Sequence, residues 1–137
     1  MSLTLTAAQY GLFAFSVVAL LALLAVGRTP ERIAAATLTL LMFASPYLAR
    51  EGPVPVAIAS GFTLAVLVML TLRYERWWLI GAAGVQLVVF STHFAPLLIP
   101  QSGVWPAVTL RIILWGAQMA LCVFAIGECR WTAHGRR

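Results

Sequence analysis

Residues 50–76 read REGP, VPVAIASGFTLAVLVMLTL, RYER: an uncharged run from Val54 to Leu72, bounded on each side by four residues that stop helices or resist burial. At about 1.5 Å rise per residue a helix over this run reaches roughly 28 Å, close to the ~30 Å hydrocarbon thickness of a bilayer. The stretch therefore predicts one membrane-spanning helix with punctuation at both ends.

Working outward, the same grammar repeats. Apolar segments cover residues 7–26, 33–49, 77–99 and 105–126, separated by GRTPER (27–32) and PQSG (100–103) in addition to the two breaks above. Pro and Gly interrupt helices, and charges resist hydrocarbon. The fourth break is the weakest. No charge falls between Trp77 and Leu110, and Pro96, Pro100, Gly103 and Pro106 carry the whole argument for a turn. One helix of that length would overshoot the bilayer, and Pro96 is expected to kink or end the fourth helix early.

Composition agrees. The 137 residues are 62% apolar and 9% charged, against about 45–50% and about 25% in soluble domains. Backbone groups in lipid must pair within their own segment, and no alternating pattern of a barrel is present. The expectation is an all-α integral membrane protein, residues 1–137 forming one bundle of about five transmembrane helices, with a basic tail over 127–137. Met1–Val26 lacks a basic leader region and its apolar run is too long for a signal peptide, so the first helix is expected to remain in the mature protein.

Alternate sides of this segmentation carry unequal charge. Arg28, Arg32, Arg73, Arg76, Arg130, Arg136 and Arg137 fall on one side and Arg50 alone on the other, seven against one, with Arg111 inside a helix. Basic loops stay in the cytoplasm, so the N-terminus is expected outside and the C-terminus inside. Trp77, Trp78, Trp131 and Tyr74 would lie at the inner interface and Trp105, Tyr10 and Tyr47 near the outer one, leaving only Trp115 deep. All basic residues are Arg, a compositional hint of a GC-rich bacterial genome and hence of a bacterial cytoplasmic (inner) membrane.

The charge of +5 gives no solvated basic face, so nucleic acid is not an expected partner. Cys122 and Cys129 lie about 10 Å apart on one helix, too far for a disulfide. With one histidine at membrane depth there is no bis-histidine haem site, and neither a metal site nor any other cofactor is expected. Nor can a nucleophile with its base be assembled, and the short loops leave no room for a soluble catalytic domain. The segmentation puts every Glu in a loop or the tail, leaving no carboxylate for an ion-coupled relay.

Polar residues at membrane depth are few enough to examine singly. Gln86 and His93 share a face of helix four, and Arg111, Trp115, Gln118 and Cys122 share a face of helix five. His93 should lie about 24 Å from the Trp77 boundary and Arg111 roughly 9 Å below the Trp105 boundary, so the two meet in depth. Gln86 and Gln118 should form a second layer. In the plain reading Arg111 snorkels to headgroups, His93 bonds a carbonyl, the glutamines glue helices and Trp115 fills core. The alternative is a cavity for an acceptor-rich ligand such as a quinone carbonyl or lipid phosphate, with Arg111 and a neutral His93 as anchors. Arg130, Arg136 and Arg137 could rest on anionic lipid headgroups.

Glu31-Arg32, Glu75-Arg76 and Glu128-Cys129-Arg130 repeat a Glu-before-Arg exit, explained by the charge rule without duplication. Small residues at Ala34–Ala36, Ala57, Ser60, Gly61, Gly81 and Gly84 predict close helix seams. The leading functional expectation is a small accessory, assembly or structural subunit beside larger membrane partners, not an enzyme. The alternatives are an oligomeric pore and a quinone- or lipid-binding protein with its site between helices four and five.

Overall fold

The computed structural model describes residues 2–94 and 104–134, and the side-chain surroundings of 9–94, 109–129 and 131. Among them are five helices and no strand: α1 (Ser2–Val26), α2 (Thr29–Glu51), α3 (Pro53–Tyr74), α4 (Trp77–Ser91) and α5 (Val104–His134). Four are long and apolar enough to cross a membrane, over Gln9–Val26, Thr29–Glu51, Pro53–Tyr74 and Thr109–Cys129. At 15 residues α4 is shorter, about 22 Å.

Outward-facing residues are apolar on every helix: Val18 is 66% exposed, Leu40 65%, Phe62 61%, Leu87 52% and Ile113 62%. Such a continuous greasy exterior suits lipid, as a water-soluble monomer limits its exposed apolar patches. The bundle is that of a multi-pass membrane protein.

Connections are minimal. Gly27–Arg28 joins α1 to α2, Gly52 alone joins α2 to α3, and Glu75–Arg76 joins α3 to α4. Pro30 and Pro53 sit in the first turns of their helices, where a missing N–H costs nothing. Consecutive helices pack side by side and α1 also packs on α5, so the five close into a ring.

The two ends of the ring differ. The basal end holds Val26, Thr29, Tyr74, Trp77 and Cys129; the apical end holds Gln9, Tyr47, Pro53, His93 and Arg111. Basal-half side chains make the core: Leu20, Leu23, Leu38, Leu67, Trp78, Leu79, Met119 and Cys122 are each no more than 1% exposed. Ala34, Ala35 and Ala82 fill the remaining space. The small-residue seams are internal at Ala34, Ala35, Ser60, Gly61 and Gly81, where a Cβ on Gly61 would lie 3.0 Å from the Phe90 ring and one on Gly81 3.1 Å from Leu121, whereas Ala36 and Gly84, also expected at seams, face outward because helical phase turns them from the bundle.

Several boundaries move. The fourth helix stops at Ser91 instead of running to 99, and Thr92–Phe94 tighten into a turn with His93 N–H donating to Phe90 O (3.1 Å) and Phe94 N–H to Ser91 O (3.1 Å). Proline clashes with the carbonyl four residues before it, and Pro96 stands four after Thr92, so the sequence cannot carry a straight helix past this point. The fifth helix runs to His134, eight residues past Ile126, because residues 127–134 hold no proline and Glu128 is tied to Arg76 at 2.8 Å. The tail expected from 127 is therefore helical through His134. The turn at residues 100–103 lies outside the described residues.

Charge placement also corrects the sequence expectation. Glu31 lies in the first turn of α2 and is fully buried, and Glu128 lies within α5. Carboxylates are thus present inside helices, at the basal end. Trp77 and Trp78 share a level at the start of α4, but Trp78 is turned into the bundle at 1% exposed whereas Trp77 is turned out of it at 79% exposed.

Gly52 turns the chain at φ 124° and ψ −177°, a region open almost only to glycine. Gly52→Ala is expected to lower stability in detergent by about 1–3 kcal/mol, measured by denaturation of the purified protein. An unchanged midpoint would show that the turn adapts.

Candidate functional site

Above the dense basal core the ring encloses a cavity of about 380 Å³ at the apical end. Each helix contributes one aliphatic wall residue, Leu12, Leu41, Val56, Val89 and Ile112, and polar groups come from Gln9, Ser45, Ser60, His93, Arg111 and Trp115. That volume lies within the ~300–1,000 Å³ range of small-molecule sites, which are also mainly apolar with a few placed polar groups.

The cavity floor is hydrogen-bonded across helices. Gln86, 1% exposed, donates from Nε2 to Ser60 Oγ (3.0 Å) and to Ser60 O (3.3 Å), joining α4 to α3. Trp115 Nε1 donates to Ser16 Oγ (2.9 Å), which itself donates to Leu12 O (2.7 Å), joining α5 to α1. Both bonds cross the helix seams where the packed half gives way to the cavity.

One wall is built around Arg111. Its Nε donates to Thr92 Oγ1 (3.0 Å), and its Nη2 donates to Thr92 O (3.3 Å) and to His93 Nδ1 (3.3 Å). Thr92 O is available because α4 has ended and gives it no helical N–H donor. Arginine can only donate, so His93 Nδ1 accepts and the ring proton lies on Nε2. All four glutamates are among the described residues, and none forms an ion pair with Arg111. The guanidinium is therefore held by neutral acceptors while its charge faces a cavity.

The sequence expected two layers, His93 with Arg111 and Gln86 with Gln118. His93 and Arg111 do meet. Gln86 instead bonds Ser60, because α3 lies nearer its amide than α5 does. Gln118 is 1% exposed and its amide finds no partner among the described residues. Arg136, Arg137 and the side chain of Arg130 lie outside the described residues.

Sequence reading missed Thr92, Ser16 and Ser60 as functional positions. Mid-helix Ser and Thr usually bond their own backbone four residues back, and Ser16, Thr39, Ser45, Thr63 and Thr71 do so here. Ser60 was read only as a small packing residue. The adjacency of Thr92 to His93 is the one signal that could have exposed the Arg111 wall.

At the basal end the Glu-before-Arg exits converge. Arg76 Nη1 donates to Glu128 Oε1 at 2.8 Å, and that bond raises the Arg76 pKa above its ordinary value. Glu31 also acts electrostatically on Arg76, although its carboxylate makes no hydrogen bond in the described structure. Gly27 is needed beside it, since an added Cβ would lie 2.6 Å from Glu31 Cβ.

No protein-family model, curated protein or solved structure matches the chain.

Gln118→Met is expected to raise the unfolding free energy by about 1 kcal/mol and the unfolding midpoint with it, because a buried amide without a partner among the described residues is replaced by an apolar chain of similar length. A lowered midpoint in the same detergent would mean that the amide has a partner in the folded protein.

Proposed function

We propose that the chain is a five-span protein of a bacterial cytoplasmic membrane that holds the acceptor-rich head group of a lipid-soluble ligand, a phosphate or a quinone carbonyl, in its apical cavity. The observation that carries this reading is Arg111: a guanidinium without a carboxylate partner, fixed by Thr92 and His93, on the wall of a space of about 380 Å³. A charge away from water costs several kcal/mol unless it is paired. A ligand that brings acceptors to Arg111 and to His93 Nε2–H would offset that cost.

Five crossings are supported by the alternation of the ring. The cavity joins the start of α1, the end of α2, the start of α3, the end of α4 and the start of α5, so α4 reaches from the basal end to the apical cavity despite its length. Arg28, Arg32, Arg73 and Arg76 lie at the basal end against Arg50 at the apical end. Basal is therefore cytoplasmic, the N-terminus is outside and the cavity opens toward the outer side.

Connections of one or two residues give the described chain little surface outside the membrane. This favours an accessory role, in which the protein presents its ligand to a larger membrane partner or to a second copy. The polar stripe of α5 faces its own bundle: Gln118 and Cys122 are buried and Trp115 is bonded to α1. A shared pore would need that stripe turned outward, so binding is the reading better supported.

Native mass spectrometry and lipid extraction of the purified chain test the proposal. Wild type should retain a phosphate lipid or a quinone, Arg111→Gln should lower retention roughly tenfold or more as charge-assisted bonds are lost, and Arg50→Gln should not. Retention that ignores Arg111 and His93 would refute it. A reporter fused after Arg137 should read as cytoplasmic, and a periplasmic signal would overturn the five-span topology.

A further inference from the structure

A second depression adjoins the first. Outside the ring, between the start of α3 and the end of α4, lies an apolar groove of about 500 Å³ lined by Val54, Ala57, Ile58, Phe90 and Phe94, with His93 at its edge. His93 also lines the inner cavity and belongs to both. The groove opens onto the greasy exterior, where Ile58 is 68% exposed and Phe94 42%. It is closed toward the basal end, where Gly61 lies against the Phe90 ring. Phe90 and Phe94 stack edge to face at 5.1 Å and form a continuous aromatic side.

Its origin is the early end of α4. A helix of 15 residues covers about 22 Å of the ~30 Å hydrocarbon layer. α3 continues beyond it to Pro53, so among the described residues α3 lacks an α4 neighbour at that level. Among the described residues His93 is the one that lines both the cavity and this groove.

Building on the proposed head-group site, we infer that the ligand is a single-chain amphiphile with an anionic phosphate head. The phosphate sits on Arg111 inside the ring, and the hydrocarbon chain passes His93 and lies in the α3–α4 groove. Arg111 selects the anion, because a neutral quinone would leave its charge uncompensated among neutral acceptors. His93 contributes Nε2–H to the same phosphate, since Nδ1 is already engaged by Arg111. The one groove accounts for one chain, and its lining of aliphatic and phenyl groups offers nothing to a second polar group.

The test uses the full chain in phosphatidylcholine nanodiscs, with a long-chain alkyl phosphate carrying a diazirine at the chain end, and with ethyl phosphate, inorganic phosphate and a short-chain ubiquinone as comparison probes. The diazirine should label α3 and α4 around Ile58, Phe90 and Phe94. Ala57→Trp, which fills the groove, should weaken the long-chain phosphate roughly tenfold and leave ethyl phosphate unchanged, whereas Arg111→Gln should weaken both. Inorganic phosphate binding as tightly as the long-chain probe would overturn the inference and identify a free anion as the ligand. Long-chain binding that depends on Arg111 but ignores Ala57→Trp, with label elsewhere, would overturn the chain placement and leave the head-group reading intact. Ubiquinone binding through Arg111 with no phosphate binding would do the same for the anion. If no probe binds in an Arg111-dependent manner, both fail. The photolabel needs no variant, so it decides even if Ala57→Trp misfolds.

Discussion

A chain that turns between two helices on one or two residues can only lay those helices side by side, and three connections here, Gly27–Arg28, Gly52 and Glu75–Arg76, are that short. Neighbouring helices are therefore antiparallel by construction, and an odd number of them brings the first and the last into parallel contact. The bond from Trp115 to Ser16 lies on that closing seam. Once the ring is closed, the character of each half follows from its side chains. Leucine, methionine and Trp78 interlock with alanines in the basal half, while in the apical half Arg111 and Trp115 are drawn to hydrogen-bond partners on α4 and α1 and the remaining wall residues leave a space between the helices.

Two arginines show how differently the ends treat the same chemistry. Arg76 meets Glu128 as an ion pair whose partners are about a quarter exposed or less, close to the boundary where water still helps. Arg111 sits deeper and meets a hydroxyl, a carbonyl and an imidazole. Neutral acceptors orient a guanidinium without cancelling its charge, which leaves it able to recruit an anion. The helix end that supplies the Thr92 carbonyl is therefore part of the site as much as the side chains are.

Much of the architecture was legible in the order of residues, and the reasons are local. Charge and proline at 27–32, 50–53 and 73–76 marked the first three turns, and helical spacing placed His93 and Arg111 at matching depth. What escaped was what depends on neighbours. Gln86 could have faced either side of its helix pair, and only packing sends it to Ser60. Glu31 reads as a loop residue because GRTPER is polar, yet Pro30 lies in the first turn of a helix there and Glu31 Cβ packs against Gly27. Trp77 and Trp78 are adjacent letters with opposite fates, decided by helical phase. The cavity itself is a deficit of volume shared among five helices, and no single segment spells it.

That uneven filling has a mechanical consequence. A bundle whose free volume is gathered at one end is stiff at the other, because close-packed side chains yield little to compression whereas a void can be closed. Hydrostatic pressure, or a change in the lateral packing of the lipid around the apical end, would therefore narrow the apical mouth before it disturbed the basal core. The volume of the cavity and the lateral pressure of the surrounding bilayer would be linked through this difference in compressibility.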